Sequence, residues 1–187
     1  MDKKIEIRWH GRGGMGAKTA ALLLAEAMMH EGKYVQAFPE YGPERRGAPV
    51  VAFTRISEEE IKGHYGITSP NVVVILDDTL LTSPRVKEGV MKDTIVVVNT
   101  SLSQQEAKDK LGLDCDVRVV NVSLIAQEVL GRDLPNTPML GALMKILNII
   151  PFERFLKAVK ERLRTKFRED VVEKNIEAIK KAYEEVK

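Results

Sequence analysis

Two uninterrupted apolar runs constrain the fold of this 187-residue chain more than any other feature of its sequence. Residues 72–76 read Val-Val-Val-Ile-Leu, and residues 94–98 read Thr-Ile-Val-Val-Val. Strands that are apolar on both faces are typical of parallel sheets, because helices cover such sheets on either side. We therefore predict that both runs are buried strands of an α/β sheet.

The rest of the chain alternates between strand and helix patterns before it becomes entirely helical. Period-2 alternation or short apolar runs predict further strands, and three- and four-residue spacing predicts helices. The predicted strands are 5–9, 34–38, 49–56 and 117–122, and the predicted helices are 17–31, 84–92, 104–111, 124–130, 139–149, 152–165 and 170–186. This order predicts an α/β fold with a doubly wound, mostly parallel sheet and a helical C-terminal extension. We expect residues 1–187 to form one domain, of which about 123–187 is the helical part.

Composition argues against several classes of function. A net charge of +2 gives no case for binding nucleic acid or an acidic membrane surface. No apolar run approaches the roughly 20 residues of a membrane span, and the start of the sequence lacks a leader pattern, so we expect a cytoplasmic protein. Cys115 is the single cysteine and cannot ligate a four-cysteine cluster. The three histidines lack the spacing of a zinc helix, and we predict no metal site.

A glycine-rich loop separates the first predicted strand from the first predicted helix. Gly11, Gly13 and Gly16 satisfy the pattern G-x-G-x-x-G, Gly14 adds a fourth glycine, and Arg12 adds a positive charge. Glycines let a ligand approach the main chain, and the N–H groups and dipole at a helix start favour an anion. The motif therefore predicts a phosphate-bearing ligand, although a tight turn without a ligand would use the same residues.

A second unusual loop follows the second predicted strand. Residues 41–49 read Tyr-Gly-Pro-Glu-Arg-Arg-Gly-Ala-Pro, so that Arg45 and Arg46 stand side by side. Adjacent arginines at the ligand-binding edge of an α/β sheet suit phosphate recognition, although they would also pair with surface carboxylates. Glu40 stands just before this loop. A nicotinamide cofactor is therefore an alternative ligand, because its sites use an acid at this position to hold the ribose hydroxyls.

Taken together, three segments resemble the gamma subunit of 2-oxoacid:ferredoxin oxidoreductases over essentially the whole chain. They are Gly-Arg-Gly-Gly-Met-Gly at 11–16, Tyr-Gly-Pro-Glu-Arg-Arg-Gly at 41–47 and Asn-Thr-Pro-Met-Leu-Gly-Ala at 136–142. The version Arg-Arg-Gly-Ala-Pro-Val most resembles the pyruvate-using members, and members acting on 2-oxoisovalerate or 2-oxoglutarate are the alternative. Two residues depart from the family pattern: Met15 replaces a common glutamine, and Ala48 replaces a common glycine.

The resemblance implies one chain of a multi-subunit enzyme, with alpha, beta and delta subunits as partners. That enzyme interconverts pyruvate, coenzyme A and oxidised ferredoxin with acetyl-CoA, carbon dioxide and reduced ferredoxin. Thiamine diphosphate and iron–sulfur clusters would lie on the partner subunits, and coenzyme A at or near this chain. We expect no catalytic residue here and no activity of the chain alone. The expected coenzyme A site comprises Gly11, Arg12, Gly13, Gly14, Gly16, Tyr41, Glu44, Arg45, Arg46, Gly47, Asn136 and Thr137.

Two other functions remain open from the sequence. One is a free-standing nicotinamide-dependent reductase that uses the glycine loop and Glu40, for which no convincing proton donor stands out. The other is a non-catalytic module that senses a nucleotide or assists assembly.

Several polar residues have a local structural interpretation. Asp77, Asp78, Asn136 and Thr137 stand where they would cap the segments that follow them. His10, at the end of the first strand, is expected to be hydrogen-bonded to the backbone, although its place just before the glycine loop would also let it face a ligand.

Overall fold

A six-stranded mixed sheet lies at the centre of the computed structural model, which describes residues 4–40 and 47–187. The strand order is β2-β3-β1-β4-β5-β6. The strands are β1 (Lys4–Arg12), β2 (Tyr34–Pro39), β3 (Pro49–Ser57), β4 (Val72–Ile75), β5 (Ile95–Asn99) and β6 (Asp116–Val120). The helices are α1 (Ala17–His30), α2 (Pro84–Lys87), α3 (Gln104–Leu111), α4 (Val122–Leu130), α5 (Asn136–Leu147), α6 (Phe152–Arg164) and α7 (Glu169–Glu185), with a short 3-10 helix at Asp78–Leu80.

The sheet is parallel except for one strand. β1, β4, β5 and β6 pair in parallel, whereas β3 runs antiparallel to both of its neighbours, β1 and β2. The link between β2 and β3 is short, and a short link returns the chain as an antiparallel partner because a parallel partner needs a longer crossover. The predicted α/β class is confirmed, with β3 as the exception that the sequence patterns do not indicate.

Helices cover the sheet on both faces. Ile7, Trp9 and Val74 belong to the apolar cluster shared with α1 and α4–α7. Val73 and Ile75, which alternate with Val74 along β4, belong to the cluster shared with α2 and α3. The two faces of β4 are therefore both buried, as its uninterrupted apolar sequence predicts.

The C-terminal helices form a tight layer against one face of the sheet. A Cβ added to Gly141 of α5 would lie 1.9 Å from the carbonyl oxygen of Ile179 in α7, so only a glycine permits this approach. Beyond α7, Lys187 exchanges two backbone hydrogen bonds of 3.1 Å with Val119. This pairing covers part of the outer edge of β6, where unpaired backbone groups would otherwise face solvent.

Three predicted helices and one predicted strand have different limits in the structure. Predicted strand 117–122 ends at Val120 and α4 begins at Val122, two residues before the predicted residue 124, because the side chain of Asn121 caps the helix there. Predicted helix 84–92 is only the single turn α2, because the backbone leaves the helical region at Glu88, with ψ 125°, and then turns left-handed at Gly89, with φ +65°. In contrast, α5 begins three residues before the predicted residue 139. Pro138 fits there because a first-turn residue needs no N–H for an intrahelical bond.

None of the helices in the described ranges is long and apolar enough to cross a membrane.

Candidate functional site

The glycine loop carries the chain from the carboxyl end of β1 directly into α1. Gly14 has φ +103° and Gly16 has φ +79°, values that side chains with a Cβ rarely adopt. Gly16 is also the N-cap of α1, and within the described residues no side chain caps this helix and no acid stands in its first turn. The first-turn N–H groups of α1 therefore have no side-chain cap and no nearby acid in the first turn, as an anion site at this helix start requires.

Backbone hydrogen bonds join this loop to the described end of the second loop. The N–H of Gly13 donates to the carbonyl of Ala48 at 2.9 Å, and the N–H of Gly47 donates to the carbonyl of Gly13 at 3.1 Å. Gly47 has φ +82°, whereas Ala48 does not have a positive φ, so alanine fits the loop without backbone strain. The two motifs that lie far apart in sequence therefore meet at one edge of the sheet.

Four of the predicted site residues lie outside the described residues. They are Tyr41, Glu44, Arg45 and Arg46. Their part in a ligand site stays a prediction from the sequence.

The side chain of Arg12 joins the glycine loop to the end of the second loop and to the segment after β4. Its Nε donates to Asp77 at 2.6 Å, and its two terminal nitrogens donate to Thr79 Oγ1 at 2.8 Å and to the carbonyl of Gly47 at 3.2 Å. Burial alone would raise the pKa of the Asp77 carboxyl, but hydrogen bonds from Thr79 and Arg12 outweigh burial and lower the pKa. The positive charge of Arg12 is therefore paired with the ionised carboxylate of Asp77. Asp77 also accepts the N–H of Thr79, so the predicted capping role of this aspartate is confirmed.

A polar cleft of about 370 Å³ opens beside the glycine loop, at the carboxyl ends of β4, β5 and β6. The chain leaves β1 and β4 over opposite faces of the sheet, so this edge is the switch point where α/β sheets bind ligands. Asn99 organises the cleft by donating to the Leu76 carbonyl and to Ser123 Oγ, each at 2.9 Å. The residues that line the cleft are Met15, Leu76, Asp77, Asp78, Asn99, Thr100, Ser101, Asn121, Ser123 and Asp133.

Asn136 and Thr137, at the start of the segment 136–142, do not have the capping role predicted for them. α5 begins at Asn136 without a side-chain cap, and Thr137 is buried. Instead, Asn136 packs directly over the glycine loop, where a Cβ on Gly16 would lie 2.6 Å from its Nδ2. The capping interpretation is wrong for both residues, because tertiary packing decides their surroundings. Asn136 and Gly16, which the resemblance placed in one site, are in contact.

The chain matches a known protein family over nearly its whole length. Residues 6–185 match the family described as pyruvate ferredoxin/flavodoxin oxidoreductase. The chain belongs to this family. It is 46% identical to the pyruvate synthase subunit PorC of Thermotoga maritima, over 99% of this chain and 96% of that protein.

A second relative and a solved structure show the same likeness. The chain is 47% identical to the common gamma subunit of the pyruvate/ketoisovalerate oxidoreductases of Pyrococcus abyssi, over 96% of each chain. Its fold matches the crystal structure of pyruvate oxidoreductase subunit PORC from Thermotoga maritima with a TM-score of 0.87 and 45% identity. That match covers 100% of this chain and 98% of the other, so the gamma-type fold expected from the motifs is confirmed.

On the opposite face of β1 from α1, a second set of polar residues is buried. The Nε of Arg8 donates to Nε2 of His10 at 2.9 Å, so the predicted backbone hydrogen bond of His10 is wrong. Burial, followed by the positive charges of Arg8 and Arg85, lowers the pKa of His10 to about 3. The sequence signal that could have shown this is the alternation of β1, which puts residues 8 and 10 on one face.

The contact between Gly16 and Asn136 can be tested by a double-mutant cycle. Gly16→Ala should lower the free energy of unfolding by about 2–4 kcal/mol, because it adds a clash to an unfavourable φ. The clash is with Asn136, so Asn136→Ala should reduce this cost, with a coupling of about 0.5–3 kcal/mol in urea unfolding. Gly14→Ala is the matched control, since its added Cβ meets nothing within 4 Å. Additive effects for Gly16 and Asn136 would contradict the contact.

The buried imidazole predicts a particular dependence of stability on pH. The folded chain keeps His10 neutral down to about pH 3, whereas the unfolded chain protonates it near pH 6.5. Below pH 6.5 the unfolded state binds the extra proton, so the free energy of unfolding should fall by about 1.4 kcal/mol per pH unit from this residue. His10→Gln should remove that slope between pH 6.5 and about 4 in chemical unfolding. Equal slopes for the two proteins would show that His10 titrates normally.

Proposed function

We propose that this chain is the gamma subunit of a pyruvate:ferredoxin oxidoreductase, or pyruvate synthase. The full-length likeness to proteins named as that subunit carries the proposal. The assembled enzyme would interconvert pyruvate, coenzyme A and oxidised ferredoxin with acetyl-CoA, carbon dioxide and reduced ferredoxin. This chain would associate with alpha, beta and delta subunits.

The partner subunits would carry the redox chemistry. Thiamine diphosphate supplies decarboxylation when it is bound, and iron–sulfur clusters pass the electrons to ferredoxin. Four-cysteine clusters need thiolate ligands, and the single cysteine of this chain is buried, with a thiol pKa raised mainly by that burial. The chain is therefore a binding and positioning subunit in this proposal.

Coenzyme A is the ligand that best suits the glycine loop and its neighbour. It carries a diphosphate and a separate phosphate, which together need two sites for negative charge. The uncapped start of α1 offers N–H groups and a favourable dipole for one of them. Arg45 and Arg46 in the sequence of the adjoining loop suit the other.

Positioning explains how a subunit without catalytic residues would contribute to the rate. A coenzyme held at its phosphates has its thiol end restricted in position, and orientation lowers the entropic part of a barrier. The polar cleft beside the loop gives the uncharged part of the coenzyme hydrogen-bonding partners such as Ser101 and Ser123.

The nicotinamide-dependent reductase is less well supported by the geometry. Its ribose-binding acid would be Glu40, but this carboxylate forms an ion pair with Arg85 at the start of α2. One observation favours the alternative that this chain is also a subunit of a second 2-oxoacid oxidoreductase. The Pyrococcus abyssi relative is named as a subunit common to pyruvate and ketoisovalerate oxidoreductases.

Native purification tests the assembly directly. An affinity-tagged form of the chain, expressed in its native organism, should co-purify with chains that carry thiamine diphosphate and show iron–sulfur absorbance. The purified complex should reduce ferredoxin in a reaction that depends on pyruvate and coenzyme A. Parallel assays with 2-oxoisovalerate and 2-oxoglutarate identify the substrate. Recovery of the chain alone, without either cofactor, would count decisively against the proposal.

Substitution of the loop arginines tests the coenzyme A site in the assembled enzyme. Arg45→Ala and Arg46→Ala should each raise the apparent KM for coenzyme A about tenfold or more, because each removes a charge-assisted hydrogen bond worth about 1.5–3 kcal/mol. Arg168→Ala is the control, since Arg168 pairs with Asp170 at the start of α7. An unchanged KM for coenzyme A with intact subunit assembly would show that the loop arginines are structural.

A further inference from the structure

A second cavity lies behind β1 and shares no lining residue with the cleft beside the glycine loop. Its volume is about 190 Å³, which corresponds to about six water molecules at roughly 30 Å³ each. β1, β3, the segment 66–68 and α2 with the residues after it form the walls. The lining residues are Arg8, His10, Glu40, Val51, Phe53, Gly66, Ile67, Thr68, Arg85 and Glu88.

Arg8 brings a buried positive charge to this cavity. Its side chain is only 4% exposed, and its guanidinium donates to the carbonyls of Val86 at 3.0 Å and Glu88 at 2.6 Å, with a long contact of 3.5 Å to Ile67. These partners and His10 are all neutral groups, and in the described part of the chain no carboxylate forms a salt bridge with Arg8. The carboxylates of Glu88 and Glu40 act on Arg8 without a direct ion pair, and burial still outweighs them and lowers the pKa of its guanidinium.

His10 offers a hydrogen-bond donor that the described residues leave unused. The residue is 3% exposed, and its Nε2 accepts the hydrogen bond from Arg8. A neutral imidazole that accepts at Nε2 carries its proton on Nδ1. No described residue accepts a hydrogen bond from this Nδ1. The atom is not sealed in the interior, because every fully buried side-chain nitrogen or oxygen of the described residues has a partner, so Nδ1 opens to the cavity that His10 lines.

Charged side chains of both signs line the cavity: Arg8 and Arg85 are positive, and Glu40 and Glu88 are negative. The two charges that act most on the imidazole, Arg8 and Arg85, are both positive and both lower its pKa. Glu40, which also lines the cavity, pairs with Arg85 at the partly exposed rim, where solvent weakens an ion pair.

We propose that this cavity binds a small oxyanion, such as inorganic phosphate or a short carboxylate. The Nδ1–H of His10 and the guanidinium groups of Arg8 and Arg85 would donate to its oxygens. The cavity is too small for coenzyme A, so this site is separate from the one proposed at the glycine loop. All of the residues that line the cavity come from this chain, and the oxyanion proposal does not rest on the function proposed above.

Nuclear magnetic resonance of the full-length chain, labelled with ¹⁵N-histidine, tests the site. The His10 Nδ1–H signal is identified by its loss in His10→Gln. It should shift and saturate as phosphate or acetate is added, with sodium chloride at equal ionic strength as the control. A response to phosphate alone or to acetate alone shows whether the site takes a phosphate or a carboxylate. Excess coenzyme A should not reverse the shift, because the cavity of about 190 Å³ is too small to hold it.

Matched variants at His10 separate binding from folding. In His10→Gln the side-chain oxygen can still accept from Arg8, but the donor at the Nδ1 position is lost. In His10→Asn the amide nitrogen stands near the Nδ1 position, so the donor is kept. Calorimetric affinity for the anion should fall about tenfold or more in His10→Gln and in Arg85→Gln, and less in His10→Asn.

Two outcomes would overturn the proposal. One is a His10 signal that neither phosphate nor acetate shifts at millimolar concentration. The other is an anion affinity that His10→Gln and Arg85→Gln leave unchanged, because the anion would then bind elsewhere.

Discussion

The antiparallel pairing of β1 with β3 is the interaction on which the rest of the structure depends. It runs from Lys4 opposite Ser57 to Arg12 opposite Pro49, and two more hydrogen bonds extend it to Gly13. β1 is thereby fixed at the centre of the sheet, with β4 on its other side. The same ladder delivers the glycine loop and the end of the arginine-containing loop to one place, so the site follows from the strand register.

A single buried hydroxyl links this ladder to the helix that follows the glycine loop. Thr54 Oγ1 of β3 accepts from Trp9 Nε1 at 3.0 Å and donates to the carbonyl of Ala21 in α1 at 3.1 Å. Threonine is fully buried here, and both of its hydrogen-bonding functions are satisfied. The bridge sets how α1 lies on the sheet, and therefore where its N–H groups point at the carboxyl edge.

The sequence predicts those parts of the molecule that depend on local chemistry. Apolar runs predict β4 and β5, and the spacing of glycines between a strand and a helix predicts the loop. The reversed direction of β3, the contact of Asn136 with Gly16 and the pairing of Arg12 with Asp77 are not predictable in this way. Each joins residues distant in sequence, and no local periodicity encodes such contacts.

Local interpretations failed where tertiary packing competed with them. Asn136 stands at a helix start, which suggests a cap, yet it packs against a glycine that has no side chain to keep it away. His10 stands at a strand end, which suggests a backbone partner, yet strand alternation puts it beside Arg8. In both cases the local pattern describes neighbours along one element, whereas the contact lies between elements or between alternate residues of a strand.

The charges at the carboxyl edge imply a direction for a bound coenzyme A under the proposed function. Arg12 is neutralised by Asp77, and the cleft also carries the carboxylates of Asp78 and Asp133. Phosphates placed in that cleft would face like charges, whereas phosphates at the start of α1 would face N–H groups and the positive end of a helix dipole. The phosphates would therefore lie on the side of the glycine and arginine loops, and the uncharged arm would run over Asn99 and Ser123. A coenzyme in the opposite orientation would set its charge against the carboxylates and leave the helix start unused.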